Sequence, residues 1–134
     1  MQDKSISPIE IASEEGIVVA RQKVRELARI IGFGIVDQTR IATAVSELAR
    51  NIRIFAGKGT VTIFNIQEKE RKGIKIVCED NGPGITDIEL AMTDGYSTTK
   101  SLGMGLPGAK RLMDEFNIKS IIGKGTKVII TKWL

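Results

Sequence analysis

Two runs rich in β-branched residues, TVTIFNI at 60–66 and IKIVCED at 74–80, flank the charged segment QEKERKG at 67–73. Such residues suit a pleated, half-buried surface, and a short polar link between two of these runs predicts a hairpin. The charges of the link are expected to be solvated. A second pair of strands is expected at 118–122 and 126–133, joined by Gly123-Lys124-Gly125. A fifth, within residues 4–12, carries Ile6, Ile9 and Ile11 in weak alternation. Pro8 confines that one to a sheet edge, because proline cannot donate to a ladder.

Helical spacing occupies the gaps. Ser13 followed by Glu14 and Glu15 predicts a helix start, a capping hydroxyl and then acids at the positive end of the dipole. Ile17, Ala20, Val24, Leu27, Ala28 and Ile31 then recur at helical intervals, and Gly32 is a natural stop. A second helix is expected from near Asp37, with the stripe Ile41, Val45, Leu48, Ile52 and Phe55, closing at Gly57 and Gly59. A turn follows at 81–84, then a short helix near 87–92, then a long polar and glycine-containing loop over 93–105. Loops of that length are usually functional or mobile. Pro107 suits the first turn of a last helix, whose expected buried face is Leu106, Ala109, Leu112, Met113 and Phe116. The sum is an α+β fold: a two-layer sandwich with helices on one face of a mixed, mostly antiparallel sheet. With 134 residues and no linker-like segment, a single domain over 1–134 is expected.

Composition removes whole classes of chemistry. The chain contains no histidine. A Ser-His-Asp triad, a Cys-His pair, a histidine-ligated zinc and a phosphohistidine are therefore excluded within it. A general base must be a carboxylate or a lysine. One cysteine, Cys78, rules out an internal disulfide and fits a reducing compartment. The opening MQDKSISPIE shows no basic segment followed by an apolar run, and no apolar stretch approaches the roughly 20 residues a bilayer requires. A soluble, cytoplasmic protein without a membrane partner is expected. The net charge is +4, but basic and acidic residues are interspersed and only one Trp and one Tyr are present. Nucleic-acid surfaces cluster basic residues with stacking aromatics, so no nucleic-acid partner is expected.

Three segments carry candidate chemistry. Glu47 and Asn51 lie four apart on the second helix, beside its apolar stripe, and so project together. A carboxamide there can ligate Mg²⁺ and a carboxylate can accept a proton, although the same pair also suits a solvated helix edge. Strand alternation places Asp80 on the face of Ile74, Ile76 and Cys78, where a carboxylate needs a donor. A purine amino group is one candidate, and the turn at Asn81-Gly82 is another. Gly82-Pro83-Gly84 lets backbone pass close to a ligand. Gly103-Met104-Gly105-Leu106-Pro107-Gly108 matches G-x-G-x-x-G, but it follows a polar loop and lacks room for the βαβ unit of a dinucleotide fold. Glycines entering a helix N-terminus still suit phosphate, or alternatively a hinge. Neither a P-loop nor the histidine-containing catalytic loop of common protein kinases occurs.

In order along the chain, SELARN (46–51), EDNGPGI (79–85), SLGMGLPG (101–108) and GKGT (123–126) resemble the N box, first glycine box, lid glycine box and final glycine-threonine element of the GHKL ATPase superfamily. Within it, SELARNI, IFAGKG, GLPGAKRLMDEF and the closing KWL are similar to the small bacterial serine kinases of stress signalling, over the whole length. The resemblance implies the GHKL (Bergerat) sandwich, with ATP and Mg²⁺ as cofactors. It implies Glu47 as the acidic residue whose carboxylate activates the attacking group and Asn51 as the Mg²⁺ ligand on the phosphates. Asp80 would receive the adenine amino group, with Gly82, Gly84 and Ile85 around the base. Gly103 and Gly105 would be the lid glycines at the phosphates, Met104 and Leu106 would also bind ATP, and Thr126 would lie beside the adenine. Related anti-sigma-factor kinases carry a lid arginine at the γ-phosphate. The lid here reads Ser97-Thr98-Thr99-Lys100-Ser101, so Lys100 is the cation available, as a point charge rather than a fork, unless it is simply solvated.

The implied activity is a serine/threonine kinase that phosphorylates a STAS-domain scaffold or antagonist protein. Its release would activate a serine phosphatase, as a partner switch. The alternatives are an anti-sigma factor whose kinase activity regulates release of a sigma factor, and an ATPase without a protein acceptor.

Overall fold

The computed structural model describes residues 4–85, 92 and 105–134. Strand β1 (Lys4–Ile11) leads into helices α1 (Glu14–Ile31) and α2 (Ile35–Phe55). Strands β2 (Gly59–Glu68) and β3 (Arg71–Asp80) follow, then helix α3 (Gly105–Leu112) and strands β4 (Glu115–Ile121) and β5 (Gly125–Trp133). The strands form one five-stranded sheet in the order β1-β2-β3-β5-β4. All its pairings are antiparallel, which refines the expected mixed sheet. The α+β sandwich expected from the periodicities is the architecture observed.

Cross-strand register explains the layer. Val61 opposes Cys78, Ile63 opposes Ile76, and Ile76 and Cys78 in turn oppose Ile130 and Val128. These side chains are buried in one core with Ile17, Val24, Ile41, Val45 and Leu48 of the helices. Each such burial contributes about 1.5–3 kcal/mol over exposure. β1 is an edge strand as Pro8 required, and its ladder shifts register between Ile6 and Ile9, on either side of that proline. Gly32 closes α1 at φ +120°, and its N–H donates to the Ala28 and Arg29 carbonyls.

Several boundaries differ from expectation. Ser13 takes the N-cap position, but its hydroxyl makes no capping bond; its carbonyl accepts from Gly16 and Ile17 instead. The link between β2 and β3 is only Lys69 and Glu70, with Lys69 at φ +57°, because the ladder continues to the Glu68–Arg71 pair. Phe55 is exposed rather than part of the buried stripe, since α2 by then has passed the edge of the core. Helix α3 begins at Gly105, ahead of Pro107, and ends at Leu112. Phe116 therefore belongs to β4, paired with Ile130, and not to the helix face. The Asp114 N–H donates to the Thr131 carbonyl, and its carboxylate accepts from the Trp133 N–H, which draws this segment into the sheet. The expected helix near 87–92 lies outside the described residues except for Met92, which packs partly buried on the core.

Candidate active site

The ends of β3, β5 and β4 and the C-terminal half of α2 converge at one pole. Asp80, last residue of the central β3, has Gly59 of β2 and Thr126 of β5 as neighbours in the ladder. Its phase is that of Ile76 and Cys78, so it faces the helices. One carboxylate oxygen, Oδ1, accepts the Gly82 N–H at 2.9 Å. Of the two roles open to Asp80, the turn cap is present through Oδ1, while Oδ2 is unengaged among the described residues.

Gly82 and Gly84 hold the turn against its neighbours. A Cβ on Gly82 would lie 2.6 Å from the Ala56 Cβ, so only glycine lets this loop rest on the end of α2. Gly84 has φ +83°, and a Cβ there would lie 2.6 Å from the Ile121 carbonyl oxygen. The Gly123 N–H donates to the Pro83 carbonyl from the β4–β5 link. Ser120, which sequence reasoning missed, pins the other side. Its Oγ accepts the Ile85 N–H at 2.7 Å and lies 2.8 Å from the Thr126 Oγ1. The sequence signal was a polar residue in phase with Phe116 and Ile118, at a position where alternation calls for an inward side chain.

More than one turn earlier on α2 lies the second part of the candidate site. Asn51 precedes Ala56 by five residues, about 7.5 Å along the helix axis. A Cβ built on Gly105 would sit 3.6 Å from Asn51 Nδ2 and 3.7 Å from Oδ1. The Asn51 carboxamide therefore faces the first residue of α3, where the backbone N–H groups of a helix are free to bind anions. A hard cation carried on phosphates fits between a carboxamide oxygen and such a helix start. Leu106 is buried in the core, so at this site it offers backbone and not side chain. Glu47, one turn before Asn51, keeps only 13% of its side chain exposed and pairs with Arg50, Nη1 to Oε1 at 3.0 Å. Lys100, Gly103 and Met104 lie outside the described residues.

A separate cleft of about 340 Å³ opens beside this pole, lined by Glu10, Lys58, Thr60 and Glu79 among others. Glu10, Thr60 and Glu79 oppose one another across β1, β2 and β3 in the phase that points away from the helices. Of the candidate site residues only Asp80 lines it, so it is not the space between Asp80, Asn51 and α3.

Sheet order, the glycine-bounded turn after Asp80 and the asparagine facing a helix start are the arrangement expected of an ATPase domain of this kind. The chain belongs to the family described as histidine kinase-, DNA gyrase B- and HSP90-like ATPases, whose model matches residues 36–134. Across its whole length it is 53% identical to the serine/threonine-protein kinase RsbT of Bacillus subtilis (strain 168), covering 99% of that protein. It is also 39% identical over 101 residues to the anti-sigma F factor of Clostridium novyi (strain NT), covering 72% of this chain and 71% of that one. The anti-sigma F factor of Thermoanaerobacter sp. (strain X514) is 36% identical over 120 residues, covering 86% and 83%. No helix among the described residues is long and apolar enough to cross a membrane.

Proposed function

We infer that this chain is an ATP-dependent serine/threonine protein kinase of the partner-switch kind, acting as a single domain in the cytoplasm. The observation that carries it is the full-length 53% identity to a serine/threonine kinase, combined with a largely buried Glu47 one helical turn from Asn51. Asp80 Oδ2 receives the adenine amino group, with Gly82, Gly84, Ile85 and Thr126 shaping the space around the base. Asn51 and the N–H groups at Gly105 and Leu106 hold the triphosphate, with Gly103, Met104 and Lys100 on the lid side. Mg²⁺ held by Asn51 would supply charge neutralisation on the phosphates as the terminal group leaves. Glu47 orients the acceptor hydroxyl and takes its proton. Most of the acceleration then comes from positioning and fixed charge.

The acceptor is a STAS-domain protein, and the released kinase activates a serine phosphatase. A phosphate adds about −1.5 to −2 charges at the docking surface, enough to weaken a bound kinase and release it. The purified chain with Mg²⁺-ATP and a STAS-domain acceptor should give phosphoserine or phosphothreonine. Glu47→Ala should abolish transfer while leaving nucleotide binding intact; normal transfer by that variant would remove Glu47 as the base. The anti-sigma relatives support a second outcome, in which the retained partner is a sigma factor. Affinity capture of the tagged chain with mass spectrometry separates the two by which partner is recovered.

A further inference from the structure

The Glu47–Arg50 pair has a role that follows from its geometry. Positions three apart share a helix face, so the two side chains meet without help from another element. Arg50 Nη1 donates to Glu47 Oε1 at 3.0 Å, and Oε2 is unengaged among the described residues. Arg50 retains 34% exposure while Glu47 retains 13%. A carboxylate drawn that far from water needs a partner, and a free glutamate side chain samples many rotamers. A single guanidinium contact meets both needs: it offsets desolvation and restricts the rotamer, while leaving one oxygen open. The next residue, Asn51, faces Gly105 at the start of α3. The open oxygen of Glu47 is thereby held on the same helix as the phosphate-side carboxamide.

We propose that Arg50 is a positioning residue for phosphoryl transfer, holding Glu47 Oε1 so that Oε2 is presented to the acceptor hydroxyl. The inference rests on Glu47 serving as the base. A displacement near 1 Å at a reacting group can cost about 100-fold in rate, so losing this contact should slow transfer by roughly 10- to 100-fold. It should not change ATP affinity, because Arg50 acts through Glu47.

The test is a double-mutant cycle on single-turnover phosphate transfer from ATP to a purified STAS-domain acceptor, with ATP affinity measured by calorimetry. Arg50→Met keeps the aliphatic stem and removes the charge; Arg50→Lys restores a charge without the planar fork. Expected are a slower Arg50→Met with ATP affinity within about 2-fold, partial recovery in Arg50→Lys, and no further loss when Arg50→Met is added to Glu47→Gln. Losses that multiply in the double variant, or a defect confined to ATP affinity, overturn the inference and leave Glu47 as base. If Glu47→Gln alone transfers at the unsubstituted rate, the base assignment fails and Arg50 has nothing to position. Thermal melts of each variant identify a loss that merely reflects unfolding. Should Arg50→Met fail to fold, the same cycle is run with Arg50→Lys, where a full-rate or multiplicative result overturns the proposal.

Discussion

Asp80 and Thr126 stand opposite each other across the β3–β5 ladder, each already holding one hydrogen bond of the surrounding turn. Asp80 Oδ1 takes the Gly82 N–H, and the Thr126 hydroxyl pairs with that of Ser120, which also holds the Ile85 N–H. The pair thus joins the two sides of the turn over 81–85 through neighbouring strands, and leaves Asp80 Oδ2 unengaged among the described residues.

Asp80→Asn separates those two duties. An asparagine can still accept the Gly82 N–H through its amide oxygen, so the turn should survive. Its NH₂ would replace Oδ2 and confront the adenine amino group donor to donor. Nucleotide affinity should fall by about 10- to 100-fold, some 1.4–2.8 kcal/mol, with little change in melting temperature. Calorimetric titration with ATP checks this; unchanged affinity would remove Asp80 from base recognition.

At the opposite pole, Lys132 binds three elements together. Its Nζ donates to the Leu112 carbonyl at the end of α3 and lies 3.6 Å from Asp114 and 3.9 Å from Asp37. Only 12% of its side chain is exposed. Lys132→Met should keep the packing of the stem but free the α3 terminus. The expected loss is about 1–3 kcal/mol, kept at that level because both carboxylates are partly solvated. Urea denaturation should show a lower midpoint at an unchanged slope.

Cys78 provides a pH-dependent check on the core. Burial, with a smaller contribution from the Glu79 charge, pushes its thiol up to about 12 from an ordinary 9.0. The thiol is neutral in the folded chain where the unfolded one has begun to ionise. Its contribution is therefore fully present below pH 9.0 and is lost progressively as pH rises from there toward about 12, by at most about 1.4 kcal/mol per unit. Cys78→Ala should flatten that part of the stability profile, and in the native protein a thiol reagent at neutral pH should react only as fast as the core opens. A Cys78 that reacts at once in the native state would contradict its burial.

Much of the site was legible because it rests on short-range spacing. Glu47 and Asn51 share a face by helical pitch alone, and the phase of Asp80 follows from counting twos along β3. Other features depended on which strands pair. Ser120 matters only because β4 lies beside β5, bringing its hydroxyl to Thr126 and Ile85. The apolar spacing around Leu112 and Met113 reads as helix through Phe116, and only pairing with Ile130 assigns that residue to a strand. Gly105 was a candidate on its glycine pattern; its approach to Asn51 required α3 to dock against α2.

The sequence by itself determined the α+β class, the hairpins, the two long helices and the residue types able to bind a nucleotide and take a proton, since each depends on neighbours a few positions apart. The absence of histidine narrowed the chemistry before any fold was known. Tertiary structure alone decided that β5 is inserted between β3 and β4, that Asp80 meets Thr126, and that Asn51 meets the start of α3. Those contacts join residues distant along the chain, and they are selected by burying one shared apolar layer rather than by any local preference.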